Sequence, residues 1–206
     1  MRMLITAGPT REPIDPVRYI GNRSSGKMGA ALVRAALAAG QEVTAILGPV
    51  ATPFPSAAQR IDVETAEQML AAVLREFPKH DLLIMAAAVA DYRPVAASAA
   101  KLARKGVRML ELESTADIVA AAGRIKRPDQ RTVGFSLETT PDPQRVRDKL
   151  RQKKLDLIVY NAVETISSEL IQPTLFFADG SEEKLPSRPK GEFADILIQR
   201  SAGLFD

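Results

Sequence analysis

Leu82-Leu83-Ile84-Met85, running on into Ala86-Ala87-Ala88-Val89-Ala90 and then Asp91-Tyr92, is the stretch whose reading decides the fold. Four large apolar residues in succession leave no polar face for water, so as a strand they must be covered on both sides. Strands of that kind belong to parallel sheets wrapped by helices. Working outward, short apolar runs that read as strands fall at 2–7, 42–47, 59–63, 81–86, 131–137 and 156–160. Amphipathic stretches that read as helices fall at 24–39, 65–77, 115–123, 143–153 and 190–202. The alternation predicts an α/β fold, a doubly wound, mainly parallel sheet with helices on both faces. A chain of 206 residues is long enough for one such domain, taken as residues 1–206. Ligands in these sheets bind beyond the carboxyl ends of the strands, which gathers the loops 8–27, 48–58, 87–106 and 138–142.

The first of those loops ends in Val17-Arg18-Tyr19-Ile20-Gly21-Asn22-Arg23-Ser24-Ser25-Gly26-Lys27-Met28-Gly29. It reads as an anion cradle opening a helix. Ser24 or Ser25 is placed to cap, Gly26 lets a ligand approach the backbone, and Lys27 adds positive charge. Gly21, Gly26 and Lys27 also satisfy the spacing of a P-loop, but Met28 stands where a Ser or Thr should hold Mg²⁺. The run is therefore a phosphate loop of another kind. Ala7-Gly8-Pro9-Thr10 replaces the G-x-G-x-x-G of a dinucleotide site, which argues against an NAD(P)-dependent reductase.

Two segments depart from the plain alternation. Residues 92–113 carry Tyr92, Arg93, Lys101, Arg104, Lys105 and Arg108, and are too long for a usual strand-to-helix connection, which suits a lid. Residues 173–186 read as a C-terminal β-hairpin extension, with Leu175-Phe176-Phe177 turning through Asp179-Gly180. Two readings of that hairpin compete: its apolar residues are exposed and meet another subunit, or it packs on its own sheet edge.

Composition narrows the chemistry. There are no cysteines, so disulfides, thiolate metal sites and cysteine nucleophiles are excluded. The single histidine, His80, fits a surface position better than catalysis, and it rules out a multi-histidine metal site. A net charge of +3 suits anionic substrates, while 5% aromatic content without a dense basic block gives no support to a nucleic-acid partner. No apolar run reaches membrane-spanning length and no signal peptide is visible, so the expectation is a soluble, cytoplasmic protein.

At the ligand edge, Arg18, Lys27 and Lys101 are the basic groups expected to neutralise phosphates. Asn22 is suited to orient a carboxylate or acyl oxygen. Asp91, after a run of small residues, is placed to hold a ribose hydroxyl or a metal, or else simply to cap a helix or pair with Arg93. Glu138 and Thr139 follow Val133-Gly134-Phe135 at one strand end, and Asn161 closes Leu157-Ile158-Val159-Tyr160 at another. Charge neutralisation and positioning suit this set better than acid–base catalysis.

Together these residues resemble the phosphopantothenoylcysteine synthetase family. The resemblance rests on Thr6-Ala7-Gly8-Pro9-Thr10-Arg11-Glu12-Pro13-Ile14-Asp15-Pro16-Val17-Arg18-Tyr19-Ile20, Asn22, and Ser24-Ser25-Gly26-Lys27-Met28-Gly29. It continues through Ala86-Ala87-Ala88-Val89-Ala90-Asp91-Tyr92, Asp117-Ile118, Gly134-Phe135 with Glu138-Thr139, and Lys154-Leu155-Asp156-Leu157-Ile158-Val159 with Asn161. It implies a Rossmann-like fold and a homodimer, with the 173–186 hairpin as a contact. It also implies a ligase of coenzyme A biosynthesis, which activates 4′-phosphopantothenate as an acyl-nucleotidylate and joins it to L-cysteine. CTP is the preferred nucleotide and ATP the alternative, with Mg²⁺ as the accompanying ion; the metal ligands are left open. Asn22 and Lys101 take the catalytic roles. Substrate binding falls to Arg18, Asn22, Ser24, Ser25, Gly26 and Lys27. Nucleotide binding falls to Gly8, Thr10, Ala87, Ala88, Val89, Ala90, Asp91, Lys101, Lys105 and Phe135.

The family's K-I-K-K cluster appears here as Lys101-Leu102-Ala103-Arg104, its Asn-Pro as Thr115-Ala116, and its F-x-x-D-x-N has no clear equivalent near Ser167-Ser168-Glu169-Leu170. These departures bear on nucleotide choice and lid detail. With Met1 opening directly on the first strand, the chain is expected to be a free-standing synthetase or an excised domain, partnered by a separate phosphopantothenoylcysteine decarboxylase in the former case. The competing reading is a non-catalytic nucleotide- or phosphometabolite-binding protein of the same fold.

Overall fold

The computed structural model describes residues 1–138, 142–162 and 168–206. In chain order, β1 (Arg2–Ala7), β2 (Arg11–Pro13) and β3 (Tyr19–Gly21) precede α1 (Lys27–Ala38). There follow β4 (Glu42–Leu47), β5 (Gln59–Asp62), α2 (Ala66–Glu76), β6 (Leu82–Met85), β7 (Tyr92–Pro94), β8 (Leu112–Ser114) and α3 (Ile118–Ile125). The remainder is β9 (Arg131–Glu138), α4 (Pro143–Gln152), β10 (Leu157–Ala162), β11 (Leu170–Ile171), β12 (Thr174–Phe177), β13 (Glu182–Lys184), β14 (Arg188–Pro189) and α5 (Lys190–Ala202).

The main sheet runs β13-β12-β10-β9-β6-β1-β4-β5. The six strands from β10 to β5 are parallel, as the continuous apolar runs require. Alternate residues of β1 feed opposite faces. Met3, Ile5 and Ala7 join the core under α1 and α5, with Leu32, Phe193 and Leu197. Leu4 joins the core under α2 and α3, with Met69, Val73, Phe77 and Ile118. α4 covers Ile158 and Phe176 through Val146 and Leu150. The doubly wound expectation holds. From β1 the chain moves one way to β4 and β5, then crosses back to β6 on the other side of β1. The switch point therefore lies between β1 and β6, and that is where a ligand crevice belongs.

Three local expectations need correction, and one open choice is decided. The 24–39 helix starts only at Lys27, with Gly26 as N-cap, so neither serine caps it. Of the two readings of the 173–186 hairpin, packing on its own sheet edge is the one that holds: β12 pairs antiparallel with β10, burying Leu175 and Phe176 in the chain's own core. His80 is buried, because its ring nitrogens lie 2.8 Å from the Glu76 carbonyl oxygen and 2.8 Å from Thr44 Oγ1. The 92–113 segment is a ribbon arm rather than a plain loop, closed at its base by antiparallel β7 and β8.

α1 lies unusually close to β1. A Cβ on Gly29 would fall 2.1 Å from the Ala7 Cβ. Gly29→Ala should therefore gain helix propensity yet still lose about 1–3 kcal/mol through overpacking. Urea unfolding checks this, and an unchanged midpoint would show that the seat is not tight.

Candidate functional site

The close seat of α1 brings its start to the carboxyl edge of the sheet beside β6. Gly26 takes φ = +76°, a conformation that glycine adopts without strain, and turns the chain into the helix. Its amide reaches Ser24 Oγ at 3.4 Å, and the Ser25 carbonyl oxygen accepts from Thr52 Oγ1 at 2.6 Å. No side chain caps the helix among the described residues, and there is no acid in its first turn. The start of α1 thus presents amide donors and a positive dipole end without a counter-charge of its own.

This start opens on a cavity of about 400 Å³. One wall is the 22–29 segment, Asn22 to Gly29. A second is Ala86, Ala87, Ala88, Val89 and Asp91. The third comprises Phe135, Ser136 and Leu137 of β9, with Lys149, Asn161, Ile171 and Lys190. The cavity lies at the switch point, where the topology predicts it.

The second wall is clamped from behind. The Ala87 amide donates to Thr6 Oγ1 (3.2 Å), the Ala88 amide to the Gly8 carbonyl (2.9 Å) and the Ala90 amide to Thr10 Oγ1 (2.9 Å). Thr10 donates its own amide to the Ala88 carbonyl (3.1 Å), and Asn22 Nδ2 donates to that oxygen at 2.7 Å. Thr115 Oγ1 donates to the Ala90 carbonyl at 2.6 Å, and the Thr115 amide to the Asp91 carbonyl at 2.9 Å. With only small side chains in front, a planar or sugar group can lie against a fixed backbone.

The structure therefore brings together Asn22, Ser24, Ser25, Gly26, Lys27, Ala87, Ala88, Val89, Asp91 and Phe135. Gly8, Thr10 and Ala90 do not line the cavity; they form its backing hydrogen bonds. Arg18 lies elsewhere. Its guanidinium pairs with Asp15 and donates to the Leu102 carbonyl at 2.8 Å. Lys101 and Lys105 are exposed on the arm, outside the cavity lining. Thr139 lies outside the described residues.

Sequence reasoning missed Lys149 and Lys190 as cavity residues, and Glu169, whose carboxylate pairs with Lys27. Lys149 also donates to Ser136 Oγ at 3.2 Å. A lysine on a helix carries no signal of which face it crowns. Only the stagger of α4 and α5 against the sheet places these two.

Residues 1–204 match the family model described as the DNA/pantothenate metabolism flavoprotein C-terminal domain. The chain belongs to this family. A protein of Vibrio cholerae named coenzyme A biosynthesis bifunctional protein CoaBC is 41% identical over 204 residues, covering 96% of this chain and 51% of that protein. A prokaryotic protein named cysteine/cysteine sulfinic acid decarboxylase is 41% identical over 205 residues, covering 97% of this chain and 57% of that one. The chain thus spans little more than half the length of these relatives. The crystal structure of the C-terminal domain of a CoaBC protein superposes with a TM-score of 0.84 at 40% identity, covering 98% of this chain and 95% of that one. That last comparison locates the likeness in the C-terminal domain of a two-function protein.

The Asp15 carboxylate helps tie the arm to the turn between β2 and β3. It is buried, and it accepts from the Val17 and Arg18 amides (both 2.9 Å), Arg18 Nε (2.9 Å) and the Leu102 amide (3.1 Å). Arg18, then these amides, hold its pKa well below the usual carboxylate range, against the opposing effect of burial. A lowered pKa stabilises the arm contact at neutral pH, and that stabilisation fades as pH falls below the ordinary carboxylate value. Asp15→Asn should therefore expose residues 96–111 to proteolysis at pH 7. The excess over the parent should shrink in acid, and equal cleavage rates at pH 7 would refute the anchor.

Proposed function

We propose that this chain joins 4′-phosphopantothenate to L-cysteine through an acyl-nucleotidylate, with CTP preferred over ATP. The supporting observation is the cavity: an uncapped helix start for phosphates faces a rigid wall of small residues ending in Asp91. Family membership and the CoaBC likeness supply the substrate class.

In the proposed reaction a carboxylate oxygen of 4′-phosphopantothenate attacks the α-phosphorus. The α–β bridge breaks, and its electron pair leaves on pyrophosphate. The cysteine amine then attacks the acyl carbon, loses a proton, and expels the nucleoside monophosphate. Ser24, Ser25, Gly26 and Lys27 hold phosphate oxygens. The backbone of Ala87–Val89, the Asp91 carboxylate and Phe135 take the nucleoside, with Gly8, Thr10 and Ala90 backing them. Asn22, already fixed by its bond to the Ala88 carbonyl, orients the acyl group. Arg18, Lys101 and Lys105 act when the 92–113 arm comes over the cavity as a lid.

Among the described residues no three acidic or histidine side chains cluster as a metal cage. Mg²⁺ fits such a site when the nucleotide phosphates supply most of its ligands and Asp91 at most one. When bound it neutralises charge on the triphosphate.

The proposed assembly is a homodimer. With Leu175 and Phe176 buried, the arm offers Val107 and Met109, both more than 90% exposed, as apolar residues to meet a second copy. Among the described residues no helix is long and apolar enough to cross a membrane. The proposed compartment is the cytoplasm, and the product would pass to a phosphopantothenoylcysteine decarboxylase.

Purified protein with Mg²⁺ and 4′-phosphopantothenate should release pyrophosphate from CTP faster than from ATP, and cysteine should increase turnover. Nucleotide binding without release would favour the non-catalytic reading. Lys101→Ala should depress pyrophosphate release. Asn22→Ala should leave that step running and cut amide formation by about 10²-fold. Equal loss of both steps in both variants would sink the division of roles.

A further inference from the structure

The ribbon of β2 and β3 borders a second crevice beside the main cavity. In its register Arg11 faces Gly21 and Pro13 faces Tyr19, so Arg11 and Tyr19 lie on one side of the ribbon and Glu12 on the other. Glu12 is buried and accepts from the Ala66 amide at 2.8 Å, which pins the ribbon to the start of α2. On the open side the Arg11 guanidinium stacks over the Tyr19 ring, 4.5 Å from its centroid. The ring itself lies against Gly21, where a Cβ would fall 3.4 Å from it.

That guanidinium is half-buried and held over one ring. Among the described residues no carboxylate pairs with it and no oxygen accepts from its side chain. The acids on its other flank are arranged differently. Asp62 pairs with Arg60, and Glu64 offers its main-chain oxygen, which accepts from the Arg11 amide at 2.8 Å. A guanidinium fixed flat without a counter-ion presents its N–H edge as a fork for a planar anion. The crevice in front of it has a volume of about 310 Å³, room for an amino acid. Asn22, Ser24 and Ser25 line both this crevice and the larger cavity, so one segment borders the two spaces. Pro9, Val50 and Ala51 supply an apolar wall.

We propose that Arg11 binds the α-carboxylate of the amino-acid co-substrate, which sets its amine beside Asn22 and its thiol against Pro9, Val50 and Ala51. This rests on the ligase reading above and gives the second substrate of that reaction a place. The nitrogen lone pair attacks the acyl carbon that Asn22 orients. The bond from that carbon to the phosphate oxygen breaks, its electron pair leaves with the nucleoside monophosphate, and the nitrogen loses one proton to water. A thiol behaves as a small apolar group, so the same wall favours cysteine over serine.

Cysteamine, which is cysteine without its carboxylate, is the probe. In the parent, kcat/KM should favour cysteine over cysteamine by about 10- to 100-fold, the scale of a charge-assisted pair. Arg11→Met, which keeps an apolar stem over Tyr19, should remove that preference by raising KM for cysteine, with no matching rise in KM for CTP. Arg11→Lys should restore part of it. The proposal is overturned if Arg11→Met keeps the parent's preference, or if it weakens CTP and cysteine alike. Failure of the ligase reading looks different, because the parent then releases no pyrophosphate from CTP or ATP. Titration of the folded chain with L-cysteine, followed by NMR at Tyr19 and Val50, decides the subsite even in that case. Shifts that Arg11→Met abolishes support it; shifts absent from the parent, or unchanged in Arg11→Met, overturn it.

Discussion

The whole site depends on one close packing contact, the face of α1 at Gly29 against Ala7 of β1. There is no room between them for a further carbon. Since β1 is the strand from which the chain winds in both directions, a helix pressed onto it opens at the switch point. A side chain at 29 would lift the helix, and its free amides would no longer border the wall that follows β6. The hydrophobic core supplies the force that holds the layers together. Gly29 supplies the distance at which they stop.

Charge is handled in two opposite ways a short distance from that contact. Asp15 is buried and surrounded by donors, two backbone amides of its own turn, one from the arm and the Arg18 side chain. Such a carboxylate is satisfied and serves as an anchor. Lys27 is half-buried at the positive end of α1, and the carboxylate of Glu169 that pairs with it is itself exposed. Folding alone gains little from that arrangement. The contrast separates a group that holds the structure from one left open to the cavity, and neither residue type nor degree of exposure makes that separation alone.

The sheet was legible because its central strands are apolar without interruption, a pattern that only a doubly covered strand tolerates. The start of α1 was legible in Ser24–Gly29, but its cap was not. Gly26 in a left-handed conformation stands where the local pattern favours a serine, and a Cβ there would also fall 2.7 Å from Val50 Cγ1, a residue distant in sequence. Leu175-Phe176-Phe177 left two readings open because nothing in its own residues reveals that β10 lacks a partner on that side. His80 looked exposed for the same reason, its partners Glu76 and Thr44 coming from two other elements. Lys190 follows a proline at a helix start, an ordinary solvent-facing pattern, and only the packing of α5 against α1 brings it to the cavity.

The site therefore divides into a part that is preformed and a part that is carried. The wall from Ala86 to Asp91 is fixed by bonds with Thr6, Gly8, Thr10, Asn22 and Thr115, so it is a preformed surface. Lys101 and Lys105 lie on an arm tied down through Asp15, Arg18 and Leu102. In the proposed reaction this division has a use. The rigid wall sets where the α-phosphorus lies, which is the demand that in-line attack makes on geometry. Charges on the arm can arrive with the second substrate and exclude water only then, protecting an acyl phosphate that hydrolysis would destroy. A site rigid throughout would have to admit substrates through closed walls, and one mobile throughout would lose the alignment.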